Sequence, residues 1–189
     1  MLTHYLDLAL LPDPEFAVPQ LMDALFAKLH RQLVLMQSDG VAVAFPQYLS
    51  QGAKQDLGTV LRLLGPEPVL NSLRGLDWLQ GMRAHVQLEQ GGAVPGGAKA
   101  MRLERVQAKS GVERLRRRAM RRHGLSAEEA VQRLPDGIGE QLRLPGLNLR
   151  SSSTGQSFRL FLRMRPAEQE TSGAFNRFGL SATATVPWF

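Results

Sequence analysis

Six of the nine residues from Arg114 to Arg122 are arginine. On a helix, turning about 100° per residue, Arg114, Arg117, Arg118, Arg121 and Arg122 fall within about 140° of arc. Val112, Leu115, Ala119 and Met120 lie on the other side, and only Arg116 is out of place. A guanidinium is always charged and meets phosphate oxygens or guanine edges through paired hydrogen bonds. Five of them along about 12 Å of axis suit a nucleic-acid backbone or groove. A solvated basic face or a membrane-surface helix would share this composition.

Four histidines could move protons. His30 falls at the rim of an apolar helical face made by Leu21, Met22, Leu25, Phe26, Leu29, Leu33 and Met36, sheltered and still reachable. His4 and His85 lie on short extended segments. His123 ends a helix, where the dipole favours an imidazolium anyway. No histidine pair has metal-ligand spacing, no carboxylates cluster, and there is no cysteine. The sequence calls for no metal and no cofactor. Ser151-Ser152-Ser153-Thr154-Gly155-Gln156 places four hydroxyls before a glycine, able to bond phosphate or ribose oxygens. An ordinary polar turn has the same composition, and no nucleophile-elbow pattern surrounds these serines. Phe158, just after, is a core strand residue or a platform for a base.

These residues need elements to hold them. His4 to Leu10 alternates as a strand, and Pro19 to Met36 is helical. Val41–Phe45 and Thr59–Leu64 read as strands. Pro66 opens a second helix reaching about Gln80, and Met82 to Glu89 reads as a fourth strand. The fold class expected is α+β. Residues 1–90 follow the β-α-β-β-α-β order of a ferredoxin-like domain, a topology that serves many functions. Residues 91–98, with four glycines and a proline, read as a linker or a long hairpin tip. Residues 99–189 form a basic C-terminal domain with an extended Arg102–Gln107 segment, the arginine-rich helix 112–123 and a small sheet. Arg105 and Gln107 would share one face of that extended segment. Ser126 to Glu129 is a capping box for a further short helix. Phe158 to Arg165 alternates as a half-buried strand with a basic outer face, and Val186–Phe189 is an apolar terminus that packs.

Charge divides the chain the same way. Residues 1–90 hold 6 Lys and Arg against 9 Asp and Glu, and the remaining 17 and 8 leave the second half at +9. That half should make the polyanion contact. No apolar run approaches membrane-spanning length and no leader pattern opens the chain, so a cytoplasmic location is expected.

Several stretches, in order, resemble the type I-F CRISPR-associated repeat-cleaving endoribonucleases. They are His4–Asp7, Leu11–Phe16, Lys28–His30, Arg105-Val106-Gln107-Ala108-Lys109-Ser110, Glu113–His123, Leu149–Ser151, Ser153-Thr154-Gly155-Gln156, Phe158–Phe161 and Val186–Phe189. The resemblance implies a metal-independent enzyme that cuts the precursor CRISPR transcript at the base of each repeat hairpin. It implies that His30 acts on the attacking 2′-hydroxyl and Ser151 positions that ribose. Arg105 and Gln107 would read base edges low in the stem, and Lys109 would add to the RNA contact. Arg114, Arg117, Arg118, Arg121 and Arg122 would run along the RNA, with Arg118 and Arg122 nearest bases. Phe158 would stack under the terminal base pair, with Ser153 and Thr154 near the cleaved phosphate. A retained hairpin implies partnership with other CRISPR-associated subunits in a guide-RNA complex.

The chain departs from the family at Phe178, where an active-site tyrosine is the rule. Phenylalanine can pack on the histidine but cannot donate a hydrogen bond. Cleavage is still expected, because the nucleophile belongs to the substrate. It would leave a 2′,3′-cyclic phosphate and a 5′-hydroxyl. A non-catalytic RNA-hairpin module and a DNA-binding regulator are the competing readings.

Overall fold

Strand β1 (His4–Leu10) sends Leu6, Leu8 and Leu10 to one side and Tyr5, Asp7 and Ala9 to the other. Leu8 is fully buried, and the opposite-facing Asp7 is buried as well, at 7% exposure. A strand buried on both faces must be covered twice, and the rest of the fold follows from that. The structure is a computed structural model. It describes all residues except 52–53, 90, 108–111, 136–141 and 153. Two compact units share the chain: Met1–Arg105 with Leu144–Phe189, and Val106–Arg143.

In the larger unit, β1 is followed by α1 (Val18–Leu35), β2 (Ala42–Ala44), β3 (Val60–Gly65), α2 (Glu67–Gly75), β4 (Val86–Leu88) and β5 (Gly92–Ala93). The strands form one sheet in the order β2-β3-β1-β4, with β5 also on β1 and all pairings antiparallel. A second sheet has the order β7-β8-β6-β9, from β6 (Lys99–Val106), β7 (Gly146–Arg150), β8 (Ser157–Pro166) and β9 (Val186–Trp188). Helices combined with antiparallel sheets make the class α+β.

Helix α1 is shared by the two sheets. Its Leu21, Met22, Leu25, Phe26, Leu29 and Leu33 are buried among Leu6, Leu8, Leu61 and Leu63 of the first sheet and Leu147, Leu149, Leu160 and Leu162 of the second. The other face of the first sheet is closed by the end of the chain. Ala42, Ala44 and Leu64 pack there with Phe175, Ala184 and Val186, and Tyr5 and Trp188 border them.

That second interface contains a buried ion pair. Asp7 and Arg62 face each other across β1 and β3. Arg62 donates Nε to Asp7 Oδ1 at 2.8 Å and Nη2 to Oδ2 at 2.7 Å, a forked geometry. Its Nη1 donates to the main-chain oxygen of Phe189 at 2.9 Å. The guanidinium also lies 3.9 Å from the Phe189 ring centroid and 4.8 Å from that of Tyr5. One arginine thus fastens the chain end to the centre of the sheet.

Three expectations from sequence change here. Helix α2 stops at Gly75 rather than near Gln80. Glycine is a poor helix former, and the Trp78 indole donates to the Leu73 carbonyl at 3.0 Å, satisfying a helix-end acceptor. Strand β4 is correspondingly short. The glycine-rich 91–98 segment is not a free connection, because Gly92–Ala93 pair with β1. A Cβ on Gly91 would sit 2.2 Å from the Tyr5 carbonyl oxygen, so glycine serves close approach there. The compact units accordingly divide after Arg105 and before Leu144. Strand β7 was not anticipated, although Leu147 and Leu149 alternate as a half-buried strand should.

In the smaller unit, α3 (Val112–His123) carries the arginines and packs with α4 (Ala127–Arg133). Arg116, the one arginine off the basic arc, is the one that is buried. It donates Nε to the Leu134 carbonyl at 2.9 Å and Nη1 to Glu113 at 3.1 Å. Arg114, Arg117, Arg118, Arg121 and Arg122 are exposed. Helix α4 opens on the Ser126–Glu129 capping box, whose hydrogen bonds from Ser126 hold the Glu129 carboxyl below its usual value.

Removing one partner of a buried ion pair strands the other charge. Asp7→Ala and Arg62→Ala should each lower stability in urea titrations by about 3–5 kcal/mol, and the double change Asp7→Leu with Arg62→Met should cost less than either. Single losses below about 1 kcal/mol would show that water reaches the pair.

Candidate active site

His30 lies in the last third of α1, half-buried at the edge of the apolar face. Its Nδ1 is 2.8 Å from the carbonyl oxygen of Arg177. A carbonyl only accepts, so Nδ1 carries the proton. In the neutral ring, Nε2 is then the basic nitrogen. Nε2 has no partner among the described residues.

The carbonyl that orients the ring belongs to a braced turn. Asn176 Oδ1 accepts from the main-chain N–H of Phe178 at 2.8 Å and of Leu180 at 3.3 Å. Gly179 N–H donates to the Asn176 carbonyl at 2.8 Å, and the Gly179 carbonyl accepts from Val43 N–H at 3.0 Å. Phe175 N–H reaches the Asp39 carbonyl at 2.9 Å, and the Arg177 guanidinium donates to the Ser38 carbonyl. The turn is therefore latched to β2 and to the segment before it. Phe178 stacks on His30, with centroids 4.0 Å apart and planes 6° from parallel, and stacks on Phe26 behind it. A phenyl ring holds the imidazole by its face and offers it no hydrogen bond.

The second wall comes from β7 and the turn after it. Asn148 donates its main-chain N–H to Asp23 Oδ1 at 2.9 Å and its amide to Oδ2 at 3.1 Å. This fixes the register of α1 against β7. Seven residues along the helix lead from Asp23 to His30, and three along the strand lead from Asn148 to Ser151; both advances are about 10 Å. The two therefore arrive at one level. Burial raises the Asp23 carboxyl, and the Asn148 hydrogen bonds work against that shift.

At that level a pocket of about 430 Å³ opens, lined by Ala27, His30, Arg31, Val34, Leu35, Leu149, Arg150, Ser151, Ser152, Phe158 and Phe178. The 151–156 turn is tightly bonded. Ser151 N–H donates to the Gln156 carbonyl at 2.9 Å, Gly155 N–H donates to the Ser151 carbonyl at 2.9 Å, and Thr154 N–H donates to Ser151 Oγ at 3.2 Å. Gly155 turns the chain at φ +68°. Arg150 donates Nε to the Gly155 carbonyl at 2.9 Å. Among the described residues, no carboxylate lines the pocket.

The structure thus brings His30, Ser151, Phe158 and Phe178 to one cavity. Thr154 is exposed on the turn beside it. Arg105 is exposed near the end of β6, its guanidinium 5.8 Å from the Phe158 ring centroid. Gln107 is exposed and lies beyond the strand, which ends at Val106. Lys109 and Ser153 lie outside the described residues. The five exposed arginines of α3 belong to the smaller unit.

The other histidines have structural partners or none. His85 Nδ1 lies 2.8 Å from Asp13, whose carboxyl is held low mainly by the N–H groups of Glu15 and Phe16. His4 lies 3.6 Å from Glu67, and His123 is exposed. Among the described residues, no three histidine, aspartate or glutamate side chains gather as metal ligands. Among them, too, no helix is long and apolar enough to cross a membrane.

Sequence reasoning missed Arg31, Val34, Leu35 and the Arg177 carbonyl. The first three were legible as helical neighbours of His30 at the next positions on its face. A backbone carbonyl leaves no signal in side-chain identity.

The arrangement is an imidazole with one nitrogen held and the other open, edged by hydroxyls and guanidiniums, groups able to accept a proton and to bond anionic oxygens. Residues 5–189 match the family described as CRISPR-associated protein (Cas_Csy4), and the chain belongs to that family. A Pseudomonas aeruginosa (strain UCBPP-PA14) relative named CRISPR-associated endonuclease Cas6/Csy4 is 46% identical over 187 residues, covering 98% of this chain and 99% of the relative. An Escherichia coli (strain UTI89 / UPEC) relative of the same name is 39% identical over 188 residues, with the same coverage. A solved structure described as "An RAMP protein binding different RNA substrates" aligns over 97% of this chain and 98% of its own at 10% identity and a TM-score of 0.32, too slight a likeness to carry an argument.

Gly179 sits at φ +70°, and a Cβ there would stand 2.6 Å from Val43 Cγ1. Gly179→Ala should therefore cost about 1–2 kcal/mol and loosen the turn. Nitrogen NMR of the His30 ring should find a clean Nδ1–H tautomer in the parent protein and a mixture in this variant. An unchanged tautomer would mean that the carbonyl is not what sets it.

Proposed function

We propose that this chain is an endoribonuclease that cuts the precursor CRISPR transcript at the base of each repeat hairpin, without a metal, and keeps the hairpin. The observation that carries the reading is the His30 ring, held at Nδ1 by Arg177 with Nε2 left basic, in one pocket with Ser151. The relatives' name, CRISPR-associated endonuclease, supports it.

The chemistry asks little of the protein. The ribose 2′-hydroxyl is the nucleophile and is already bonded to the sugar next to the phosphate. Nε2 of His30 takes its proton, the oxygen attacks phosphorus, and the 5′-oxygen leaves. The products are a 2′,3′-cyclic phosphate and a 5′-hydroxyl. Ser151 holds the attacking ribose. Ser153 and Thr154 lie by the phosphate, and Arg150 adds positive charge at the pocket. DNA lacks the nucleophile and would bind without being cut. Phe178 supports the ring by stacking, so a phenol is not required for the proton transfer.

The RNA is held by further residues. Phe158, with Arg105 beside its ring, forms a stacking platform for the last base pair. Arg105 and Gln107 read the stem base, Lys109 adds to the RNA contact, and the exposed arginines of α3 grip the backbone, with Arg118 and Arg122 reaching furthest toward bases. The strand order β2-β3-β1-β4 supports a ferredoxin-like assignment for the first part of the chain. Residues 99–189 supply most of the RNA contacts. A protein that keeps its hairpin would act in the cytoplasm as one subunit of a guide-RNA complex with other CRISPR-associated proteins.

The test is cleavage of an end-labelled repeat hairpin in EDTA. The wild type should make one cut at the stem base, and His30→Ala should lose at least about a hundredfold in rate while still binding. Tight binding without a cut by either protein would establish a hairpin-binding module instead. Product affinity should fall steeply with salt, by about a thousandfold or more from 50 to 200 mM if six or more phosphates are contacted. A flat salt dependence would remove the arginine ridge from the RNA contact.

A further inference from the structure

Asp23 and Asn148 lie outside the pocket that holds His30 and Ser151. They line a separate cleft of about 200 Å³, together with Arg159, where α1, β7 and β8 meet. Strand β7 is an edge of the second sheet, so an N–H that turns outward there has no strand to receive it. The Asn148 main-chain N–H is received by Asp23 Oδ1 at 2.9 Å instead, and the Asn148 amide by Oδ2 at 3.1 Å. Across the ladder Asn148 faces Arg159, the neighbour of Phe158.

The apolar contacts of this seam do not set its register. Leu25 and Leu29 of the helix share a core with Leu147 and Leu149 of the strand, but the hydrophobic effect has no direction. A hydrogen bond does, and it weakens steeply as it bends. A clasp at two points therefore fixes the travel of α1 along β7 as the leucines do not. The arrangement costs stability. Burial raises the Asp23 carboxyl, and the Asn148 hydrogen bonds and the Arg159 charge work against that shift. Two apolar side chains would fill the seam without the penalty. What the carboxylate adds is register.

We propose that Asp23 and Asn148 are positioning residues for RNA cleavage, whose clasp sets the reach from His30 on the helix to Ser151 on the strand, and with it the rate of the cut rather than the affinity for the hairpin. The inference rests on the ribonuclease reading and deepens it. His30 has to meet the 2′-hydroxyl of a ribose that Ser151 holds, so a slip of about 1 Å between helix and strand parts the base from the nucleophile. In that reading the hairpin is gripped by Phe158 and the arginines of α3, outside the clasp.

The experiment exchanges the two side chains. It measures single-turnover cleavage of the repeat hairpin beside the affinity for a hairpin that carries a 2′-deoxyribose at the cut. Asn148→Asp sets carboxylate against carboxylate and should slow the cut about tenfold or more, with affinity within about twofold of wild type. Adding Asp23→Asn restores one carboxylate and one amide with the donor reversed, and should recover the rate to within about threefold of wild type. Asp23→Leu keeps the seam filled and removes the clasp, and should cut as slowly as Asn148→Asp. Retained binding shows that each variant folds. A double variant as slow as Asn148→Asp would overturn the proposal. So would a rate loss matched by an equal loss of affinity, which would make the seam a general support of the fold. Wild type that binds the hairpin without cutting it would reject the ribonuclease reading itself, and this inference with it.

Discussion

The central sheet is covered on both faces, and the site depends on that. Helices close one face, as the leucines of β1 and β3 require. The other face carries Tyr5, Asp7, Arg62 and Leu64, and is closed by the last fifteen residues of the chain. Arg62 joins Asp7 to Phe189 at the middle of this interface. The segment that must cross the sheet to reach it passes β2, where Val43 takes hold of Gly179. The Arg177 carbonyl and Phe178 reach His30 because the chain is routed that way. The orientation of the His30 ring is thus a by-product of burying a sheet face.

The same economy holds on the other side of α1. The helix is core to both sheets, so its polar positions fall at seams. Asp23 fills one seam and locks β7 through Asn148. His30, two turns later, falls in the next. A helix and a strand advance at different rates per residue, and the Asp23–Asn148 pair is placed so that seven helical steps match three extended ones. The carboxylate does this while partly buried, at some cost to its charged form.

Charge is divided with equal clarity. The acidic first half supplies the first sheet and the imidazole. The basic second half supplies guanidiniums, five of them along α3 and others around the pocket. Arg116 shows how the ridge is kept clean, because the arginine that would point inward is spent on the carbonyl that ends α4 and on Glu113. Its neighbours are left outward and available.

Much of this was written in local pattern. The alternation of β1, the apolar stripe of α1 with His30 at its rim, the arc of arginines with Arg116 off it, and the Ser126–Glu129 box all depend on residues within one or two turns of each other. The family resemblance was legible too, because its motifs are short and chemically specific. Tertiary structure alone decided the rest. His30 and Arg177 are 147 residues apart, and the contact between them is made by a backbone oxygen that any residue would have carried. In the segment that read as a linker or hairpin tip, Gly91 lies where any Cβ would meet the Tyr5 carbonyl oxygen. Periodicity reports which face of an element is buried, but not against what, and an active site assembled where several elements meet is made of that missing information.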